Sequence, residues 1–170
     1  TGQPVPGVTR NILEESSRIA RVGQCLDLAQ AKAGDYDALV MPGGYGVAKN
    51  HCTFAFKGAE ADVRPDVAAF VRAFFDAKKP VGAICIAPAL VALALSGKAS
   101  ADLTLGNDAG CAAAVNQLGQ HHKDTPNSRE IVIDEACKLV TTPAYMFDDA
   151  RLTDVWTGIE RCVAEVLKRC

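Results

Sequence analysis

The sequence predicts an α/β fold in which a mainly parallel sheet is covered by helices on both faces. Three observations carry that reading. Short, continuous apolar runs alternate with longer segments whose apolar residues recur at helical spacing. Two of those runs, at 36–41 and 80–86, lead into Pro42-Gly43-Gly44 and Cys85 rather than into ordinary polar loops. No internal repeat or low-complexity tract suggests a different architecture.

The elements follow in order. After an irregular opening rich in Gly and Pro, Thr9 is placed to cap a helix over 10–22, with Ile12, Leu13, Ile19 and Ala20 near one face and Gly23 as its stop. Residues 36–41 (YDALVM) form a buried strand that leaves the sheet at the glycines. The next helix spans 64–78, with Val67, Phe70, Val71, Phe74 and Phe75 in helical period, Asp62 as its expected cap and Pro65 in its first turn. PVGAICI is a second buried strand, and APALVALAL an almost wholly apolar helix ended by Gly97. A short strand at 103–105, a small-residue helix at 109–118 and a polar loop at 120–129 come next. Two short strands, 131–133 and 138–140, surround a turn. Asp148 or Asp149 is expected to cap a final amphipathic helix carrying Leu152, Val155, Trp156, Ile159, Val163, Val166 and Leu167.

The 170 residues suit one domain, and a 49% apolar, 22% charged composition is that of an ordinary globular chain. A formal charge of −2 and a pI near 5.9 argue against nucleic acid or an anionic membrane as the main partner. The longest apolar stretch, 84–95, is too short to span a bilayer and contains Pro88. Seven cysteines, without a CxxC or paired spacing, argue against a zinc ribbon or a disulfide scaffold and for a reducing compartment. The sequence opens at Thr1 rather than Met, so an upstream segment is expected to lie outside it.

The chemistry centres on VGAICIAPAL. A nucleophile elbow is a strained strand-to-helix turn with small residues two positions either side of the nucleophile. Ala83 and Ala87 occupy those positions around Cys85, and Pro88 stands where a first helical turn accepts proline. Such a turn sets the thiol at a helix amino terminus, where unpaired amides and the dipole favour negative charge. The Ile86 amide, with Gly43 or Gly44 at the neighbouring strand end, could hold an oxyanion. The plainer reading is a free cysteine buried as a small hydrophobe. The small-Cys-small pattern before proline favours the elbow.

With MPGGYGVAKN, GAICIAPAL, KLVTTPAYM and the helix RNILEESSRIAR in order, the chain resembles the ElbB-type glyoxalase-like family, which includes bacterial ElbB and its mitochondrial relatives. That family lies within the superfamily of PfpI-type proteases, the parkinsonism-associated deglycase and the class I glutamine amidotransferase domains. The resemblance implies a flavodoxin-like three-layer sandwich over 1–170, in the mitochondrial matrix if the source is eukaryotic and the cytoplasm if bacterial. It implies a homodimer or a subunit of a larger complex. It also implies Cys85 as nucleophile and cofactor-free action on a reactive dicarbonyl, converting glyoxal to glycolate, or on a glycated adduct. Gly43, Gly44 and Ile86 match the oxyanion positions, Lys49 and Asn50 the loop after the glycines, and Tyr145 the residue that should face the cysteine. Relatives carry further strand units before the region matching Thr1, with a glutamate that hydrogen-bonds the cysteine, and nothing in this sequence corresponds to them. The domain is therefore expected to be incomplete at its amino end. No histidine follows Cys85, and no His-Pro-Glu stands near Thr141-Thr142-Pro143, so a Cys–His–acid triad is not visible.

Other candidates weigh less. His51, close to the glycine loop, could serve as a base, and is otherwise a surface residue. His121 and His122 lack a third metal ligand and read as a solvated loop, so no metal site is expected. Pro42-Gly43-Gly44-Tyr45-Gly46 lacks the residues of a phosphate loop. The terminal helix with Trp156 reads as core or dimer surface. Two function classes besides an enzyme stay open: a catalytically idle structural or regulatory subunit, and a redox sensor working through Cys85.

Overall fold

In the computed structural model, which describes residues 5–21 and 23–170, the elements alternate as expected. In chain order they are α1 (Ile12–Ala20), β1 (Leu39–Met41), a π-helical turn (Val47–His51), α2 (Phe54–Lys57) and α3 (Pro65–Asp76). Then follow β2 (Val81–Ile84), α4 (Ala87–Leu95), β3 (Asp102–Leu103), α5 (Ala109–Gln117), β4 (His121–His122), β5 (Val132–Asp134), β6 (Leu139–Thr142) and α6 (Leu152–Leu167).

The main sheet has the order β1-β2-β6-β5. Its first three strands are parallel and β5 is an antiparallel edge. β3 and β4 pair separately in parallel. The period of two along a strand explains the layers. Val81, Ala83 and Leu139 face the core that holds α3 and α4, whereas Ile84 and Val140 face α6 through Val155, Cys162 and Val166. Both faces of β2 and β6 are thus covered, which is why every residue of these two strands is buried. The result is the three-layer flavodoxin-like sandwich with a mainly parallel sheet.

Close packing depends on two glycines. A Cβ at Gly82 would meet Val166 Cγ2 at 2.9 Å, and one at Gly158 would lie 2.1 Å from the Ser128 carbonyl oxygen. α6 therefore rests almost directly on backbone.

Several local expectations give way to tertiary partners. Asn11, not Thr9, caps α1, its Oδ1 accepting from the Glu14 amide at 3.1 Å. The helix is shorter than 10–22; Val22, like the first four residues of the irregular opening, lies outside the described residues. None of the described α1 residues is buried, and Ile19 is 90% exposed. Asp62 does not cap α3. Its carboxylate pairs with Lys57 and its amide donates to Thr53, while Arg64 precedes Pro65 at the helix start. Nor do Asp148 or Asp149 cap α6, which begins after Arg151 without a side-chain cap. Trp156 is 68% exposed and so is not core within this chain.

The expected loop at 120–129 contains β4, and His122 is not solvated. Its side chain is 2% exposed, Nε2 accepts from the Leu105 amide at 2.9 Å, and Nδ1 faces the Asp124 carboxylate at 3.3 Å. The accepted bond fixes the proton on Nδ1. Among the described residues no helix is long and apolar enough to cross a membrane.

Candidate active site

β2 ends at Ile84 and α4 begins at Ala87, so only Cys85 and Ile86 make the turn. Cys85 has φ 60°, in the left-handed region that costs a side-chain-bearing residue about 1–2 kcal/mol. The conformation is held from two sides. The Cys85 amide donates to the Thr142 carbonyl at 2.9 Å, just beyond the paired ends of β2 and β6. Behind the bend all nine residues of α4 are buried.

The glycine turn after β1 lies against this bend. A Cβ on Gly43 would fall 2.4 Å from the Ile84 carbonyl oxygen, 3.1 Å from Cys85 Cβ and 3.3 Å from the Ile86 nitrogen. Gly43 and Gly44 have φ values of 83° and 87°, open to glycine without strain. The Gly44 carbonyl accepts from Val47 and Ala48, closing the next turn. Among the described residues the amides of Gly43, Gly44 and Ile86 donate to no protein acceptor, and the Cys85 thiol at the same bend is half-buried. This arrangement can accept negative charge on an oxygen bound next to sulfur.

The π-helical turn Val47–His51 packs on α4. Such turns are rare and recur at functional sites. It carries His51, whose Nδ1 is buried with no hydrogen-bond partner among the described residues. Burial, then the Arg64 charge, holds this imidazole below its ordinary value of 6.5, against the pull of Asp66. The ring is therefore neutral near pH 7, with one nitrogen free to take a proton. Asn50 is exposed, its amide nitrogen turned back towards Gly46. Lys49 points elsewhere: its ammonium lies 4.7 Å over the Tyr45 ring and 5.4 Å from the Phe56 ring. Tyr145 stands three residues beyond Thr142 and is 54% exposed; Ala144 before it has φ 45°.

Burial raises the Cys52 thiol, burial and Asp134 raise Cys137, and burial pushes Cys162 up to about 12. Cys111 also reaches about 12, through burial and then the Asp108 carboxylate. All seven cysteines are free. Among the described residues no group of His, Cys, Asp and Glu is arranged to hold a metal. Sequence reasoning missed Thr142 as the anchor of the elbow. Its signal was weak: a Thr-Thr pair ending an apolar run before proline.

A DJ-1/PfpI family model matches residues 15–144. The human mitochondrial glutamine amidotransferase-like class 1 domain-containing protein 3 is 40% identical over 98% of this chain and 63% of its own length. The rat mitochondrial ES1 protein homolog is 39% identical over 98% of this chain and 64% of its own. The chain thus spans just under two thirds of these relatives. A crystal structure of an Ehrlichia chaffeensis isoprenoid biosynthesis protein with an amidotransferase-like domain superposes with a TM-score of 0.86 at 37% identity. It covers 96% of this chain and 72% of the other.

Proposed function

The chain belongs to the DJ-1/PfpI family, and from that premise we propose that it is a cofactor-free glyoxalase- or deglycase-type enzyme acting on small reactive dicarbonyls through Cys85. One observation carries the reading: a thiol held at φ 60° between β2 and α4, in contact with a glycine turn whose amides have no other acceptor.

With glyoxal the steps balance without a redox partner. The Cys85 thiolate adds to one aldehyde carbon, and the carbonyl oxygen takes up the charge beside the Gly44 and Ile86 amides. Protonation of that oxygen gives a hemithioacetal. A base removes the C–H proton from the sulfur-bearing carbon, leaving an enediol, and the proton returns to the adjacent carbon. The product is a glycolyl thioester. Water cleaves its C–S bond, releasing glycolate and restoring the thiol. Neutral His51 is the candidate base, and Asn50 and Tyr145 are candidate contacts for the substrate oxygens. The mitochondrial names of the relatives favour the mitochondrial matrix if the source is eukaryotic. Cys85→Ala is expected to abolish formation of glycolate from glyoxal, followed by NMR, while the variant unfolds like the parent. Unchanged turnover in that variant would remove the mechanism.

A second reading, a structural or regulatory subunit, is favoured by one observation: the Cys85 sulfur has no hydrogen-bond partner among the described residues. Purification of the native protein separates the two. A homogeneous homodimer that turns over glyoxal supports the enzyme, and stable co-purification in a large assembly without turnover supports the subunit.

A further inference from the structure

We propose a second ligand site, at the opposite end of the sheet from Cys85, that binds a small organic dianion. A cleft of about 290 Å³ opens where the carboxyl ends of α3 and α4 meet the turn between β5 and β6. That volume is at the small end for ligand pockets. Four cations line the cleft: Arg72, Lys78, Lys98 and Lys138. Two carboxylates oppose them, Asp76 and Glu135, and Glu135 is already engaged by the Arg169 guanidinium.

Cations at helix carboxyl ends have a simpler role, balancing the partial negative charge there. Each helix end carries about half a charge, so two ends plus Asp76 leave an excess of about two positive charges. Two of the cations are tied to backbone: Arg72 Nε donates to the Ala94 carbonyl at 2.5 Å, and Lys138 Nζ to the Arg169 carbonyl at 3.3 Å. Among the described residues the Lys78 and Lys98 ammoniums make no hydrogen bond or ion pair, and only the two backbone amides are engaged, by Phe75 and Leu95. Phe75 and Leu95 add apolar lining. Two unspent ammoniums, a guanidinium with further N–H donors and an apolar wall suit a short molecule bearing a phosphate or two carboxylates.

The site is independent of the chemistry at Cys85. α4 runs from the elbow to the cleft, and its nine residues separate the two by roughly 14 Å.

Titration calorimetry of the intact chain at low salt tests the proposal, with inorganic phosphate and succinate as separate probes. At least one probe is expected to bind saturably at one per chain. Lys78→Ala with Lys98→Ala should weaken that binding about tenfold or more, the loss expected for charge-assisted hydrogen bonds. Lys57→Ala, a lysine outside the cleft, should leave it unchanged. Binding of phosphate alone identifies a phosphorylated ligand, and binding of succinate alone a dicarboxylate. Because both lysines are exposed, the double variant should keep its circular dichroism and melting curve. No saturable binding of either probe, or equal binding by the double variant, overturns the proposal.

Discussion

Adjacent glycines at one turn answer to different constraints. At Gly43 a methyl group would collide with the Ile84 carbonyl, whereas at Gly44 nothing lies within 4 Å. Both have positive φ, so alanine at either should cost about 1–2 kcal/mol in backbone strain. Gly43→Ala must also push the glycine turn off the elbow, at a further cost of about 1–3 kcal/mol. Urea denaturation of the two variants should therefore show Gly43→Ala clearly less stable. Equal losses would mean that the turn does not bear on Cys85. The histidines add a pH dependence. Burial lowers His51 and His122 from the ordinary 6.5, so both are neutral when folded and take up protons when unfolded. Stability is then unaffected by them above about pH 6.5, and falls as pH drops below it until the folded-state values are reached. His122→Gln can still accept from the Leu105 amide without titrating. It should flatten this acid slope in denaturation curves taken from pH 7.5 to 5; an unchanged slope would show that His122 does not contribute.

Among the elements, the pairing of α6 with the sheet links packing to the site. Gly158 lets the helix approach the Ser128 carbonyl, and a Cβ there would also lie 2.7 Å from Thr142 Oγ1. That hydroxyl donates to the Glu130 carbonyl, and the Thr142 carbonyl anchors the Cys85 amide. Gly158→Ala should cost about 3 kcal/mol through overpacking against backbone, and should lower glyoxal turnover without touching Cys85; parallel melts and assays check both. The bend at Cys85 was legible because its pattern is local: an apolar run, small residues on either side of a cysteine, then proline. The helix starts were harder. Thr9, Asp62, Asp148 and Asp149 are all good capping types, but Asn11 took the place of Thr9, Asp62 was already held by Lys57 and Thr53, and α3 and α6 start without a side-chain cap. β4 was hidden because two histidines carry no strand period, and their order comes from β3 and from the bond between Leu105 and His122. The π-helical turn has no sequence signature, so the placement of His51 could not be read in advance.

Across the whole molecule, the two edges of the main sheet differ. β5 is antiparallel, whereas β1 is a parallel edge with Val40 40% exposed. The Leu39 amide donates towards β2, so the Val40 amide and carbonyl point to the unpaired side. Among the described residues nothing pairs with that side, and an edge of this kind accepts a further strand, from the same polypeptide or from another. A lysine should discourage that pairing without changing the ladder to β2. Val40→Lys is therefore expected to lower concentration-dependent association, measured by light scattering, and to leave the far-ultraviolet circular dichroism intact. Equal scattering by the two proteins would place any association elsewhere. Finally, α4 is enclosed on every side, so the atoms behind the sulfur cannot be altered one at a time from solvent. On the proposed function, a change in what the protein recognises falls instead on Asn50 and Tyr145, which are exposed, and on the π-helical turn.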